Sequence, residues 1–149
     1  TGTMGLVADG ALQAGGKVYG VITDFLDSIE QQHENLTELE VVPSMHDRKL
    51  AMFRKSDAFI ILPGGLGTLD EMFELMTWRQ IDIHDKPIVI FNYGGFWDPL
   101  IKLLQHLCDE QYMLPQHMSL FRVVSRIEDI PDAIRTNMSD RTDHHLQWA

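Results

Sequence analysis

Blocks of apolar and polar residues alternate along this chain in a way that predicts strands separated by helices. Residues 58–62 are apolar at every position, which is typical of a strand covered on both faces of a parallel sheet. The alternation predicts an α/β fold with a Rossmann-like, doubly wound, mostly parallel sheet and helices on both faces. The predicted helices are residues 4–14, 44–56, 69–81, 98–110 and 127–138, and the predicted strands are residues 17–23, 39–42, 58–62, 88–91 and 121–124. Gly15 and Gly16 are expected to end the first helix, and Gly94 and Gly95 are expected to form the turn into the helix 98–110.

We expect residues 1–138 to form a single α/β nucleotide-binding domain, followed by a polar tail at residues 139–149. Residues 1–5 look like the end of a glycine loop that enters a helix, and such a loop normally follows a strand. We therefore expect that an N-terminal strand–helix–strand section is missing. Residues 24–40 are polar and acidic without a clear period, which indicates a long loop.

A glycine-rich loop, residues 63–67, follows the buried strand at residues 58–62. Its three glycines let the backbone turn sharply and let a ligand approach the main chain. We expect Thr68 to cap the next helix, with Asp70 and Glu71 in its first turn, where carboxylates suit the helix dipole. Amides at such a helix start favour an anion, and we expect phosphate. By themselves, the glycines also fit a tight turn and Glu71 an ordinary first-turn glutamate.

A second cluster of charged residues lies at the start of the predicted helix 44–56. Ser44 and Asp47 have the spacing of a capping box. Met45, Arg48 and Lys49 share one face of that helix. Two adjacent cations near a helix start oppose its dipole, which indicates that they bind an external anion. The alternative is a solvated basic turn paired with Asp47.

Composition limits the partners and the location of the protein. The formal net charge of −10 argues against nucleic acid polymers and anionic membranes as partners. The single cysteine, Cys108, excludes an intrachain disulfide and suits the cytoplasm, where we expect the protein to be. No apolar run is long enough to cross a bilayer. We expect no metal site, because the histidines that could ligate one are scattered: His33, His46, His84, His106 and His117.

Taken together, two motifs resemble those of a known enzyme family. They are Pro-Gly-Gly-x-Gly-Thr-x-x-Glu at residues 63–71 and Met-His-x-Arg-Lys at residues 45–49. The resemblance is to the LOG family, cytokinin-activating phosphoribohydrolases also described as lysine decarboxylase-like, and it extends from Gly5 to about Ile134. It implies hydrolysis of the N-glycosidic bond of a nucleoside 5′-monophosphate such as AMP. The products would be ribose 5-phosphate and a free base, adenine or an N6-modified adenine, and the enzyme would be a homodimer without a cofactor.

The resemblance also implies roles for individual residues. The family residues that match Arg48 and Glu71 are the catalytic pair. Glu71 would stabilise the cationic ribose or take a proton from water, and Arg48 would orient the nucleotide. Glu30 stands at the family's spacing for a sugar-contacting glutamate. The residues expected to bind the substrate are Glu30, Met45, Lys49, Gly64, Gly65, Leu66, Gly67, Thr68, Leu69, Asp70 and Thr77.

Two other functions also fit parts of the sequence. A pyridoxal-phosphate decarboxylase would need a Schiff-base lysine, for which Lys49 is the candidate. A non-catalytic nucleotide or cofactor carrier, similar to molybdenum-cofactor carriers, would need no acid beside the sugar, so Arg48 and Glu71 together favour the hydrolase.

Two apolar features also remain open. Met45, Met52 and Met72 are candidates for lining an apolar base pocket. Apolar residues on the helices 69–81 and 98–110 fit either the core or a dimer face; they are Met72, Phe73, Met76 and Trp78 on the first, and Leu100, Leu103, Leu104 and Leu107 on the second.

Overall fold

The computed structural model describes residues 2–24 and 35–139. The chain divides between Ser56 and Asp57 into two compact units, and each is described by itself. Every strand pair in the described residues is parallel. The predicted α/β, Rossmann-like class is therefore confirmed.

The bounds of the elements mostly follow the prediction to within about three residues. In the first unit they are α1 (Thr3–Gln13), β1 (Tyr19–Thr23), β2 (Glu38–Val42) and α2 (Met45–Lys55). In the second unit they are β3 (Phe59–Ile61), α3 (Leu66–Gln80), β4 (Ile88–Phe91), α4 (Asp98–Asp109), β5 (Arg122–Val124) and α5 (Ile130–Ser139). Short 3-10 turns at Tyr93–Gly95, Pro115–Leu120 and Ile127–Asp129 complete the second unit. Strand β2 begins at Glu38, inside the range 24–40 that was predicted to be a loop, and residues 25–34 of that range lie outside the described residues.

The first unit pairs β1 with β2 in parallel, with Tyr19 opposite Glu38 at one end. Helix α1 ends where its glycines predict. Gly15 adopts a φ of +77°, which glycine tolerates without strain. The Gly15 N–H donates to the Leu12 carbonyl at 2.9 Å, and the Gly16 N–H donates to the Ala11 carbonyl at 2.8 Å. These two bonds form a Schellman motif, which satisfies carbonyls that the helix end leaves unpaired.

The second unit has a three-stranded parallel sheet in the order β3–β4–β5. Phe59 lies opposite Ile88, and Val89 lies opposite Arg122. Side chains alternate along a strand, so Ile88 and Ile90 point to one face and Val89 to the other. Both faces are covered, because all three of these β4 side chains are completely buried.

One face of this sheet packs against α3 and α4. Its core consists of Ile61, Met72, Met76, Ile88, Ile90, Trp97, Leu100, Leu104 and Phe121. Helix α5 contacts β4 and β5. The apolar residues on α3 therefore divide: Met72 and Met76 belong to the core, whereas Phe73 is 38% exposed. Met72 is completely buried, so the suggestion that it lines an open base pocket is wrong.

The connection between α3 and β4 is held by His84. Its Nε2 lies 2.9 Å from the Leu75 carbonyl, and its Nδ1 accepts from the Lys86 N–H at 3.1 Å. This pattern requires a neutral ring with its proton on Nε2. Burial lowers the pKa of His84 from its usual value of 6.5, and the charges of Arg79 and Lys86 lower it further. The hydrogen bond to the Leu75 carbonyl and the charge of Asp85 raise this pKa, but the net shift is downward.

The lone cysteine, Cys108, is buried in α4, as its apolar surroundings predict. Its thiol faces the Leu114 carbonyl at 3.8 Å. Within residues 2–24 and 35–139, no helix combines the length and the apolar character that a membrane crossing needs.

Candidate active site

The glycine loop connects the end of β3 to the start of α3, at the carboxyl edge of the second unit's sheet. Its backbone is extended at Gly65 (φ −103°, ψ −151°), and this residue is the N-cap of α3. The Gly65 carbonyl accepts the Leu69 N–H at 3.1 Å. The prediction that Thr68 caps the helix is therefore wrong: the helix begins at Leu66, and Thr68 is its third residue. Glycine can serve as an N-cap at little cost in stability. Because three of the four residues 64–67 are glycines, the sequence does not show at which residue α3 begins.

Thr68 nevertheless determines one residue of the loop. A Cβ atom added to Gly64 would lie 2.2 Å from the Thr68 Oγ1 and 3.0 Å from its Cβ. Only glycine fits at that position. By contrast, a Cβ added to Gly65 or Gly67 would meet nothing within 4 Å. The surface of the loop at these two glycines is open, and the first amides of any helix lack partners within the helix.

Glu71 lies in the second turn of α3, not the first. The first-turn residues Leu66, Gly67 and Thr68 are all uncharged, so the expected first-turn acids Asp70 and Glu71 are displaced along the helix. The influence of the helix dipole fades beyond the first turn, so it does not explain a carboxylate at position 71. Glu71 is half-buried and Asp70 is exposed. Glu71 is therefore not the first-turn glutamate that was expected, and its position needs an explanation other than the helix dipole.

The other expected residues on α3 have different surroundings. Leu66, at the first helical position, is 86% exposed. Leu69 is partly buried and packs against the core. Thr77 is exposed, and its hydroxyl donates to the Phe73 carbonyl of its own helix at 2.8 Å.

Helix α2 in the first unit carries the basic cluster. Its N-cap is Ser44, as predicted: the Ser44 Oγ accepts the Asp47 N–H at 3.1 Å and donates to the Asp47 carboxylate at 2.5 Å. The bond from the Asp47 N–H to the Ser44 Oγ is the first bond of a capping box. The Asp47 carboxylate accepts the Ser44 hydroxyl. Arg48 is half-buried, and its Nε donates to the Val21 carbonyl of β1 at 3.0 Å. This bond fixes the direction of the guanidinium group. Lys49 is half-buried and Met45 is 47% exposed.

The two predicted catalytic residues belong to different units, Arg48 to the first and Glu71 to the second. Glu30 lies outside the described residues. Among the described side chains, no group of three or more histidine, cysteine, aspartate or glutamate residues could hold a metal ion.

Comparison with known proteins adds to this geometry. A family model described as "possible lysine decarboxylase" matches residues 4–134. The chain is 43% identical over 136 residues to a cytokinin riboside 5′-monophosphate phosphoribohydrolase of Rhodococcoides fascians. The aligned residues cover 91% of this chain and 69% of that protein. This chain belongs to the LOG family. The predicted resemblance is therefore confirmed.

Plant relatives agree with this membership. The chain is 47% identical over 102 residues to the probable cytokinin riboside 5′-monophosphate phosphoribohydrolase LOGL1 of rice, covering 68% of this chain and 46% of that protein. It is 40% identical over 120 residues to the cytokinin riboside 5′-monophosphate phosphoribohydrolase LOG5 of Arabidopsis thaliana, covering 80% of this chain and 53% of that protein. The chain thus spans about half the length of these plant relatives.

The turn that follows β4 in this LOG-family chain contains a buried polar residue that was not among the predicted site residues. Asn92 follows β4 at the same sheet edge as the glycine loop and is 7% exposed. Its side chain bonds the backbone of Trp97 and the carboxylate of Asp98. An asparagine between a buried strand and two glycines is the sequence signal, but its partners five and six residues away cannot be identified from sequence alone.

Proposed function

We propose that this chain forms the hydrolytic domain of a nucleoside 5′-monophosphate phosphoribohydrolase. In the reaction, the oxygen of water bonds to C1′ of the ribose while the N-glycosidic bond breaks. The bonding electrons and a proton go to the base, which leaves, and ribose 5-phosphate remains. The observation that carries this proposal is the open glycine loop at the start of α3, followed one turn later by the half-buried Glu71. The printed names of its relatives support the same reaction.

The 5′-phosphate would bind at the start of α3. The surface is open at Gly65 and Gly67, so phosphate oxygens can approach the backbone amides there. Thr68 offers a hydroxyl next to Gly64, and Lys49 would add a positive charge. No acidic residue lies in the first turn to repel the phosphate.

Glu71 would act at the sugar. Cleavage of an N-glycosidic bond develops positive charge on the ribose ring, as in other glycoside hydrolyses. A carboxylate near C1′ stabilises that charge or accepts a proton from the attacking water. Arg48, whose guanidinium is oriented by the Val21 carbonyl, would hold the nucleotide by its planar donor groups. The base would be adenine or an N6-modified adenine.

Base release from AMP tests the proposal, measured by chromatography alongside AMP binding by calorimetry. Glu71→Gln should bind AMP and release no adenine, because it retains the shape of the side chain but not its charge. Glu110→Gln, the same change at an exposed carboxylate after α4, is the matched control and should behave as the parent. Arg48→Ala should lose both binding and release.

Two results would contradict the proposal. Adenine release by Glu71→Gln at the parental rate would remove Glu71 from the reaction. A parent chain that binds AMP and N6-isopentenyl-AMP but releases no base from either would favour the nucleotide carrier.

We also propose that the protein is a cytoplasmic homodimer in which α3 contributes to the interface. The support is the exposure of two large apolar side chains, Phe73 on α3 and Ile81 at its C-cap, which are 38% and 49% exposed. Phe73→Glu should yield a monomer by light scattering, whereas Leu103→Glu on α4 should not. A dimer that survives Phe73→Glu would exclude Phe73 from the interface.

The proposed cytoplasmic location is supported by the single cysteine, which suits a reducing compartment. Cell fractionation would test it.

A further inference from the structure

An exposed aromatic side chain lies at the same edge of the sheet as the glycine loop. Tyr93 follows β4 and is 68% exposed. Strand β4 is the parallel neighbour of β3, with Ile90 opposite Ile61. Because the two strands run in the same direction, the chain leaves both of them at the same edge of the sheet, toward Gly64 after β3 and toward Tyr93 after β4. Tyr93 and the glycine loop therefore lie at the same edge of one sheet.

The backbone around Tyr93 is fixed by a buried asparagine. The Asn92 side-chain carbonyl accepts the Trp97 N–H at 2.7 Å, and its amide group donates to the Asp98 carboxylate at 2.7 Å. The Asn92 N–H also donates to the Val124 carbonyl at 2.7 Å. Gly95 adopts a φ of +77°, and a Cβ added there would lie 2.7 Å from the Asp98 Oδ2. These contacts support the backbone on both sides of Tyr93 without any ligand.

The ring of Tyr93 contacts the ring of Phe91. Its centroid lies 5.9 Å from that of Phe91, with an angle of 40° between the rings. Most of the ring still faces outward. An exposed aromatic ring on a rigid turn suits stacking against a planar ligand, because little conformational entropy is lost on binding.

We propose that Tyr93 is a stacking platform for the nucleobase of a nucleoside 5′-monophosphate whose phosphate occupies the glycine loop. The inference rests on the phosphate site of the proposed function and adds the group that would recognise the base. Tyr93 is a specificity-determining residue here and takes no part in bond cleavage.

The test compares two ligands that differ by the base. AMP and ribose 5-phosphate are titrated into the parent chain and into Tyr93→Ala, Tyr93→Phe and Tyr112→Ala. Tyr112 is the matched control: it is 86% exposed, but it follows α4, which leads away from the carboxyl edge of the sheet. Tyr93→Ala should raise the Kd for AMP about 5- to 100-fold, the range that loss of one base–aromatic stack produces. Its Kd for ribose 5-phosphate should not change, and Tyr93→Phe should bind AMP as the parent does.

Several outcomes would overturn the platform. They are an unchanged Kd for AMP in Tyr93→Ala, an equal loss of affinity for both ligands, and the same loss in Tyr112→Ala. Failure of the proposed function has a different signature. If the parent binds AMP in a Tyr93-dependent way but releases no adenine, hydrolysis is wrong and the platform stands. If Tyr93→Ala releases adenine with the parental kcat/KM, the platform alone is wrong, and a parent that does not bind AMP would overturn both.

Discussion

Replacing Gly64 by alanine should destabilise the protein, because the space that the new methyl group needs is occupied. The added Cβ would lie 2.2 Å from the Thr68 Oγ1 and 3.0 Å from the Thr68 Cβ. Rotation of the threonine can move its hydroxyl but not its Cβ, and a helix restricts threonine to few rotamers. Gly64 does not have a left-handed φ, so the clash is the only source of strain. Overpacking of this kind costs about 1–3 kcal/mol.

Urea unfolding of matched variants measures this cost. Gly67→Ala is the control for stability: its Cβ would meet nothing within 4 Å, and alanine is favoured over glycine within a helix by up to about 1 kcal/mol. The two substitutions should therefore shift the free energy of unfolding in opposite directions. In a Gly64→Ala, Thr68→Ala double variant, part of the loss should be recovered, because alanine at 68 removes the hydroxyl and the methyl group but keeps the Cβ. Equal shifts for the two glycine variants, or no recovery in the double variant, would refute the steric argument.

Three further predictions follow from other contacts. Ser44→Ala should lower the free energy of unfolding by about 1 kcal/mol in urea, because the Asp47 N–H loses its capping oxygen. As the pH falls below 6.5 through the lowered pKa of His84, stability should fall, since the charged ring can no longer accept the Lys86 N–H; His84→Gln should flatten this part of a pH–stability curve. Leu66→Asp should raise stability by about 0.3–1 kcal/mol, by placing a carboxylate at the start of α3. The same change should weaken AMP binding in calorimetry by repelling the phosphate, and Leu66→Asn should do so less.

Local signals predicted the parts of the fold that depend on few residues. The helix end predicted at Gly15 and Gly16 is a Schellman motif, and Ser44 is an N-cap as predicted. Both could be predicted because their hydrogen-bond partners lie within five residues along the chain. The start of α3 could not be predicted in the same way. Its cap is a glycine without a capping side chain, so nothing in the sequence distinguishes Gly65 from the more conventional Thr68.

Local sequence patterns also could not predict which apolar residues are buried, or which distant residues contact each other. Helical spacing showed that Met72 and Phe73 border an apolar face, but not which of them enters the core. The structure buries Met72 completely and leaves Phe73 at 38% exposure. The Asn92 network likewise depends on Val124, which lies far along the chain and meets Asn92 only when β4 and β5 pair.

The distribution of charge along α3 argues that the helix start is arranged for a ligand. A glutamate that served the helix would stand in the first turn, where the dipole stabilises it. That turn instead holds Leu66, Gly67 and Thr68, which leaves the positive end of the helix for an external anion. Glu71 stands six residues beyond the cap, about 9 Å along the axis at ~1.5 Å per residue. The helix dipole contributes little to a carboxylate at that distance, and the position separates the acid from the proposed phosphate site. A nucleoside monophosphate has the same arrangement, because its phosphate and the carbon that becomes cationic stand at opposite ends of the ribose.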